Sequence, residues 1–531
     1  MTSPVSLPAQ APTARHGGRP VALAVLCTIL FLTFLDNTIV SVGLGSVQTD
    51  LSADVSSLQW VVSAYALTFA AAMLAFGMVS DEFGRKRVML TGAGIFCAGS
   101  ILCALAPNVQ TLIAGRAVMG LGAAASEPGT LSMIRHLYTE ERSRTRAIGV
   151  WTAVSGLALA AGPVLGGALV GAWSWRAIFW FNLAFGLAAL IAAIMVLPEN
   201  SDPDAHRVDI SGTVLGAAAL TAFTFAVINA ESAGFGAPSV IALLCVSVAA
   251  AAAFFFRESR AAHPLLDLRY LRVPRFFTAN VVAFCAYFAT FAVFFFTALY
   301  LYEVAGDNGY QIALVFLPMT VLLIAASLLA DRWTIRAGPG PSILIGCLLF
   351  TAGLLLTTVT LNPHPAYAPL ALALALVGIG VGATVVPVTS SALGAVPPER
   401  SGMAASATNT SREIGAVTGV AILGALVNAQ LHTSLVNRLQ HLDIPSTFQS
   451  VVLKALETGG VPSSGNTAGA GGAAGAGQLQ LVNEVIHAAY NAFQTGLRAA
   501  LVLSAVLVFL AGVFAYLTLR RPGPGQTDEG P

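Results

Sequence analysis

The sequence predicts an all-α integral membrane protein, because it is strongly apolar, divides into runs of membrane-spanning length and concentrates its positive charges in alternate loops. Of its 531 residues, 56% are hydrophobic and only 10% are charged, whereas a soluble domain carries about 25% charged residues. The mean hydropathy is +0.78. The net charge of +1 gives no indication of a nucleic-acid partner.

Fourteen apolar runs have the length needed to cross a bilayer, since about 30 Å of hydrocarbon takes about 20 helical residues. The first run is too long for the core of a secretory signal peptide, so we expect it to remain as a membrane anchor. The predicted spans are 21–42, 58–79, 88–106, 112–134, 147–170, 177–197, 210–230, 239–256, 276–302, 310–330, 342–360, 368–394, 403–427 and 493–518.

The loop charges fit fourteen spans with both termini in the cytoplasm. This arrangement puts twenty of the 26 Lys and Arg residues in cytoplasmic loops and tails and four outside, while Arg116 and Arg412 fall within spans. Cytoplasmic loops of membrane proteins carry such an excess of positive charge. A count that was wrong by one span would scramble the asymmetry, so the charges favour fourteen.

Residues 428–492 are too polar to span, and they contain a Gly/Ala/Ser tract that is typical of a flexible linker. We expect an external loop with short amphipathic segments on either side. The alternative is that residues 428–492 are a tolerated insertion without a functional role. The six cysteines lie inside apolar runs and not in polar loops, which predicts neither a disulfide framework nor a metal site.

Two loops repeat one pattern. The loop after the second span reads GMVSDEFGRKR and the loop after the tenth reads SLLADRWTIRA, so that Asp81 aligns with Asp331 eight spans later. Such internal symmetry is typical of transporters built from repeated bundles. A glycine-flanked turn with one acid and several bases predicts a conformational latch, whereas a simple positive-inside anchor explains the bases but not the glycines. The latch residues are Gly77, Asp81, Gly84, Arg85, Lys86 and Asp331.

The first of these loops resembles the signature G-x-L-a-D-r-x-G-r-k of the major facilitator superfamily. Span five, GVWTAVSGLALAAGPVLGG, resembles the motif typical of exporters in that superfamily, and LDNTIVSV, RAVMGLGAA, WSWRAIFWFN and SATNTSREIGAVTG extend the likeness along the chain. With fourteen spans, the sequence resembles the fourteen-helix drug:proton antiporters. The exporter motif carries Gly149, Gly162, Pro163, Gly166 and Gly167.

This resemblance implies a major facilitator fold of two six-helix bundles plus two central extra helices. It implies a proton-coupled antiporter of the bacterial plasma membrane that exports lipophilic drugs or antibiotics by alternating access, without a cofactor, as a monomer in contact with lipid. Proton-coupled uptake of a small metabolite and a non-transporting membrane sensor stay open as alternatives. The implied divisions are a tail at 1–20, a bundle at 21–200, the extra helices at 201–260, a bundle at 261–518 and a tail at 519–531.

Two carboxylates lie well within the predicted spans. A charge at that depth costs about 2.5–3.5 kcal/mol on insertion scales, so it tends to face a cavity and to act there. We expect Asp36, near the middle of span one, to be a proton-coupling or cation-sensing group; the alternative is an acid buried for packing. Glu127, just before Pro128, is expected to tune substrate choice or to add a second proton site, against a structural acid paired to another helix.

The remaining charges within spans are Arg116, Arg412 and Glu413. The resemblance assigns proton-transfer coupling to Arg116, and bonding of carbonyl groups across helices is the alternative. Neighbouring residues do not share a helix face, so Arg412 and Glu413 should find different partners, and we rank them below the others as cavity candidates. Phe284, Phe288 and Phe291 lie at helical spacing in span nine, where they form either the aromatic wall of a cavity or a lipid-facing stripe.

Enzymatic and ATP-driven classes are disfavoured by the motifs. The sequence contains no G-x-S-x-G and no H-E-x-x-H. A phosphate-binding G-x-x-x-x-G-K-[ST] loop is also excluded, because Lys86 and Lys454 are the only lysines and neither follows a glycine. We therefore expect no catalytic residues, no metal and no cofactor.

Overall fold

The computed structural model describes residues 18–199, 209–261, 267–362, 365–397, 401–441 and 476–519, and these ranges are helical, without a β-strand. The helices are α1 (Arg19–Ile39), α2 (Leu44–Leu51), α3 (Val55–Phe83), α4 (Arg85–Ala104), α5 (Val109–Leu137), α6 (Glu141–Ala172), α7 (Arg176–Val196), α8 (Ile210–Ala233), α9 (Pro238–Arg260), α10 (Leu268–Leu271), α11 (Pro274–Ala292), α12 (Ala298–Glu303), α13 (Gly309–Ala337), α14 (Pro339–Thr360), α15 (Tyr367–Leu393), α16 (Ser401–His441) and α17 (Ala476–Leu519).

Polar side chains at the helix starts explain several of these boundaries. Asp54 accepts a hydrogen bond from the backbone N–H of Ser57 at 3.0 Å and so caps α3. Asn308 and Gln311 form a reciprocal capping box at the start of α13. Each cap satisfies N–H groups that the first helical turn leaves without a partner, which matters most at a membrane boundary.

Two spans contain a local change of helix type. A 3₁₀ turn, Val40–Gly43, joins α1 to α2, and a π-helical turn, Val293–Thr297, joins α11 to α12. The apolar stretches nevertheless run continuously across both turns, from Arg19 to Leu51 and from Pro274 to Glu303. π-turns within helices are frequent at functional sites.

Eleven helices within the described residues are long and apolar enough to cross a membrane, and α6 raises this to twelve when its two bent halves are taken as one span. The halves Arg146–Ala158 and Ala161–Ala172 meet at 42°. Pro163 explains the bend, because it has no N–H to donate to the carbonyl four residues earlier. The chain is therefore an all-helical, multi-pass membrane protein.

The helices pack into two groups. In the first helix group, α1 to α7, the helix α5 packs against α3 and α4, and α1 packs against α6 and α7. In the second helix group, α11 to α17, the helix α15 packs against α13 and α14, and α11 packs against α16 and α17. The groups meet along two helix pairs, α3 with α16 and α6 with α13.

The pair α8 and α9 lies outside both groups. α8 packs against α9 and also against α3 and α16, at one of the two seams between the groups. Only 11% of the most apolar stretch of α9 is buried, so most of its surface faces away from the protein. An apolar surface of that extent is suited to contact with lipid.

The flanks of the expected external loop differ from the sequence-based expectation. Continuous helices replace the short amphipathic segments, because α16 runs on to His441 and α17 begins as early as Ala476. Most of the Gly/Ala/Ser tract lies outside the described residues, as do residues 1–17 and 520–531 of the expected tails.

Candidate functional site

Asp36 lies in a buried ion pair inside the first helix group. Its side chain is fully buried and its Oδ2 pairs with Nη1 of Arg116, which is 1% exposed. Asn182 of α7 donates a hydrogen bond from Nδ2 to the other carboxylate oxygen, Oδ1, at 2.6 Å. An ionised carboxylate in the membrane interior needs such compensation. The three side chains join α1, α5 and α7 through one acid.

Arg116 is held by contacts in addition to the acid. Its Nε donates to the backbone oxygen of Val61 at 2.9 Å, and its guanidinium lies 4.5 Å from the centre of the Tyr65 ring. Tyr65 in turn donates from its hydroxyl to the backbone oxygen of Thr33 at 2.8 Å. The guanidinium is therefore fixed in orientation as well as charge-paired. It bonds a carbonyl of another helix, as the structural alternative expects, and its role in proton-transfer coupling stays a prediction.

Glu127 and Glu413 form a second acidic site, which bridges the two helix groups. Asn409 of α16 donates from Nδ2 to Oε1 of Glu127 on α5 at 2.6 Å. Asn37 of α1 donates from Nδ2 to Oε1 of Glu413 on α16 at 2.9 Å. Each carboxylate thus accepts from an amide of the opposite group. Both acids are 1% exposed.

Arg412 lies beside this acidic pair and has different partners from Glu413, its neighbour in sequence. Its Nη1 donates to Oδ1 of Asn409 at 3.0 Å, and its Nη2 donates to Oγ1 of Thr389 at 2.6 Å. Its charge also interacts with the charges of Glu127 and Glu413. The central charges thus amount to three carboxylates and two guanidinium groups, so one negative charge is uncompensated when all are ionised.

Of the three aromatic cavity candidates on α11, two are buried against protein and not exposed to lipid. Phe288 and Phe291 are 3% and 1% exposed, and Phe284 is half-buried. Glycines of α16 allow the backbone of α11 to come close at Phe284 and Phe288. Tyr287, on the same helix, stacks on Phe291 with ring centres 6.1 Å apart and lies 5.3 Å from the guanidinium of Arg412. An aromatic face therefore borders the second acidic site.

Three of the four glycines of the exporter-like motif serve close helix packing. A Cβ on Gly162 or Gly166 would collide with Thr38 or Ile39 of α1. Gly167 instead faces α13, where a Cβ would lie 2.6 Å from that of Ala313. Pro163 bends the helix, as described above. Gly149 differs, since it is exposed and has nothing within 4 Å of an added Cβ.

The predicted latch is described only in part. Gly84 separates α3 from α4 with a φ of +102°, a conformation that favours glycine. Lys86 donates to the backbone oxygen of Ile194 at 2.9 Å, which ties α4 to the end of α7. Gly77 lies near Ser406 of α16, with 3.8 Å to an added Cβ. The side chains of Asp81 and Asp331 lie outside what the structure describes.

Among the described residues, no group of three or more His, Cys, Asp or Glu side chains could hold a metal ion. The polar centre consists instead of carboxylates, amides, guanidinium groups and hydroxyls in an apolar surround. Such a set can bind and release protons, and it can bind charged or hydrogen-bonding molecules.

Comparison with known proteins decides the family. The model of the Major Facilitator Superfamily matches residues 26–420. The chain belongs to the major facilitator superfamily. Its members are transporters and not enzymes, and this superfamily member is a multi-pass protein of the bacterial plasma membrane.

Relatives of this superfamily member carry names of resistance and efflux proteins. Multidrug resistance protein Stp of Mycobacterium tuberculosis is 32% identical over 486 residues, which cover 91% of this chain and 89% of the relative. The tetracenomycin C resistance and export protein of Streptomyces glaucescens is 30% identical over 530 residues, 98% of this chain and 96% of the relative. The methylenomycin A resistance protein of Bacillus subtilis is 34% identical and covers 76% of this chain and 87% of its own length.

Solved structures support the fold of this superfamily member. A bacterial homologue of the human lysosomal transporter Spinster, in an inward-facing and occupied conformation, aligns with a TM-score of 0.62 at 17% identity. The alignment covers 96% of this chain and all of that one. At this identity the likeness concerns the fold alone.

Sequence reasoning missed the amides that hold the acids in this superfamily member. Asn37, Asn182 and Asn409 each donate to one of the three central carboxylates. A signal was present, since each lies inside a stretch that the family resemblance singles out: LDNTIVSV, WSWRAIFWFN and SATNTSREIGAVTG. Sequence alone gives no reason to connect an amide on one span with an acid on another.

Proposed function

We propose that the protein is a proton-driven antiporter that exports lipophilic drugs or antibiotics across the bacterial plasma membrane, as a monomer and without a cofactor. The observation that carries this proposal is the fully buried Asp36, ion-paired to Arg116 at the centre of the first helix group. Intramembrane ionisable residues that pair with one another mark proton and substrate pathways in transporters. The names of the relatives support drug or antibiotic export as the direction and substrate class.

The proposed architecture has fourteen spans with both termini in the cytoplasm. Eleven apolar helices and the bent α6 make twelve, and α3 and α5, at 29 residues each, also have the length to span a bilayer. The first helix group corresponds to the bundle proposed for 21–200 and the second to that proposed for 261–518. α8 and α9 are the two extra helices proposed for 201–260, and they pack at the seam between the bundles.

Proton binding at Asp36 is the proposed coupling step. A proton on the carboxylate removes its charge and weakens its attraction to Arg116 and to the amide of Asn182. The next residue along α1, Asn37, bonds Glu413 of the opposite group. A movement of α1 that follows protonation at Asp36 is thereby passed directly to the seam between the bundles.

The alternating cycle follows from this link. With the site open to the outside, drug leaves and Asp36 takes up a proton. With the site open to the cytoplasm, the proton leaves and the Asp36–Arg116 pair re-forms as drug binds. Alternating access of this kind is a rocking of one bundle against the other around a fixed central site.

The two motifs have proposed roles at opposite ends of this movement. Gly167 lets α6 touch α13 where Gly309 begins that helix, so it belongs to the proposed outer seal. Gly84 and Lys86 belong to the proposed cytoplasmic latch, which orders the turn between α3 and α4. The aromatic face of α11 belongs to the proposed drug cavity.

Inside-out membrane vesicles with an acidic lumen test the proposal. Lipophilic amines and antibiotics are added to the outside while luminal pH is followed, for the wild type, Asp36→Asn and the control Asp50→Asn, which removes an ion-paired but half-exposed acid. We expect the lumen to become less acidic on addition of an exported compound in the wild type and the control, but not in Asp36→Asn.

Other outcomes overturn parts of the proposal. A response that persists in Asp36→Asn at normal protein levels removes coupling from Asp36. Silence from folded wild-type protein across the panel argues against drug antiport. Joint efflux of preloaded compound and protons from the lumen indicates proton-coupled uptake instead.

A further inference from the structure

Four buried polar atoms around the second acidic site have no hydrogen-bond partner among the described residues. They come from four different helices: Asn37 Oδ1 on α1, Glu127 Oε2 on α5, Tyr287 Oη on α11 and Glu413 Oε2 on α16. Each residue is at most 3% exposed. Buried polar atoms are nearly always bonded, and an unpaired one costs about 1–3 kcal/mol. Four on mutually interacting residues indicate that water or a ligand binds there.

These atoms belong to one site. Asn37 already donates to the other oxygen of Glu413. The charges of Glu127 and Glu413 lie close enough to repel each other, and both interact with the hydroxyl of Tyr287. The unpaired atoms therefore belong to side chains of α1, α5, α11 and α16 that interact with one another between the two helix groups.

The four unpaired atoms are mainly hydrogen-bond acceptors. An amide oxygen and two carboxylate oxygens only accept hydrogen bonds when the acids are ionised, and a tyrosine hydroxyl both accepts and donates. What completes the site must therefore bring several hydrogen-bond donors.

The net charge of the second acidic site also favours a cationic ligand. Asp36 is neutralised by Arg116, whereas Arg412 alone faces both Glu127 and Glu413. When both acids are ionised, one negative charge is left over at the second site. A buried net charge is costly, so either a proton or a bound cation must compensate it, and a cation that binds there competes with the proton.

An aromatic surface adds the last component. Tyr287 and Phe291 stack with ring planes 28° apart, and the Tyr287 ring lies 5.3 Å from the guanidinium of Arg412. Aromatic faces attract cations and cover flat apolar groups.

We propose that this second site binds the head of an organic monocation that carries N–H donors, a protonated amine or amidine whose aryl or alkyl body lies against Tyr287 and Phe291. The proposal rests on the proposed export function and deepens it, since it specifies which drugs the site takes. A quaternary ammonium ion brings the charge but no donor and leaves the acceptors unpaired. A neutral alcohol brings a donor but no charge.

Three matched probes test the proposal on the purified full chain in lipid nanodiscs: 4-phenylbutylammonium, its N,N,N-trimethylammonium analogue and 4-phenylbutan-1-ol. Isothermal titration measures their dissociation constants. We expect the primary ammonium to bind at least about tenfold more tightly than either analogue, since charge-assisted hydrogen bonds are worth more than about 1.4 kcal/mol. Equal or tighter binding of the trimethylammonium probe or the alcohol, or no binding of any probe, overturns the proposal.

Variants connect the preference to the site. Glu127→Gln and Glu413→Gln keep the shape but remove the charge, so each should bring the affinity for the primary ammonium close to that for the alcohol. Tyr287→Phe, which removes only a hydroxyl, should weaken ammonium binding a few-fold and leave the trimethylammonium probe unchanged. Glu303→Gln, at the end of α12 and away from the site, serves as the control and should retain the full preference. Retention of the preference in both Glu127→Gln and Glu413→Gln overturns the assignment.

Failure of this inference is separable from failure of the export function. Ammonium-selective binding without any change of luminal pH in the vesicle assay removes proton-driven export and leaves the binding site standing. Proton-coupled export without ammonium preference in either assay does the reverse.

Discussion

The ion pair between Asp36 and Arg116 predicts a large, non-additive effect of mutation on stability. Arg116→Met keeps much of the side-chain volume but leaves the carboxylate of Asp36 buried with only Asn182 as partner. Removal of one member of a buried pair costs about 3–5 kcal/mol, because the remaining charge is uncompensated. The lost bond from Nε to Val61 adds about 1 kcal/mol, so we expect a total of about 4–6 kcal/mol.

The double variant Asp36→Asn/Arg116→Met removes both charges. Because no unpaired charge remains, we expect it to be more stable than Arg116→Met by about 2–4 kcal/mol, although it should not couple protons. Reversible unfolding in mixed micelles with increasing sodium dodecyl sulfate measures the free energies for the wild type, both single variants and the double variant.

The cycle of four proteins isolates the coupling between the two residues. Destabilisations that simply add, so that the double variant is less stable than either single one, would refute the view that Asp36 and Arg116 compensate each other. The vesicle assay adds an independent requirement, because restored stability in the double variant must occur without restored proton movement.

Two further predictions follow from local packing and capping. Gly167→Ala puts a Cβ 2.6 Å from that of Ala313, an overlap that costs about 1–3 kcal/mol, so it should slow export in vesicles about tenfold or more. The control variant Gly149→Ala has open space around the added Cβ and should export normally. Equal effects of the two substitutions would contradict the packing argument. Asp209 caps α8 and is bonded by Arg257; although burial opposes ionisation, its hydrogen bonds hold the pKa of Asp209 below the ordinary range. The stabilisation by ionised Asp209 is present at neutral pH and is lost as pH falls through that lowered pKa. Asp209→Ala should therefore reduce the free energy of unfolding in micelles by about 1 kcal/mol at pH 7 and by about nothing at the acid limit. A reduction that does not change with pH would contradict this.

The sequence predicted the fold well because the spans are a matter of composition. Apolar runs of about 20 residues and the loop charges depend only on local sequence, and the long helices lie where those runs are, whereas the short helices α2 and α10 lie outside them. The bend of α6 has an equally local cause in Pro163. The expectation of short amphipathic segments at the flanks of the predicted external loop was wrong, because polar residues at 428–441 continue a helix that the apolar run had already begun.

The candidate site was predicted residue by residue but not as an arrangement. The cost of burial singled out Asp36 and Glu127, since charges within spans are rare, and the family resemblance added a role for Arg116. The ranking placed Glu413 low, yet it mirrors Glu127 across the seam. Which spans face each other depends on the packing of the whole bundle, and no local pattern contains that information.

The placement of α8 and α9 makes the two sides of the molecule unequal toward lipid. At the seam of α3 and α16, α8 contacts both helices and α9 packs on it from outside, so this seam is screened from the bilayer. At the other seam, α6 meets α13 directly. Among the described helices, a drug that entered sideways from the membrane would therefore have to part α6 from α13, at the seam where Gly167 packs against the start of α13.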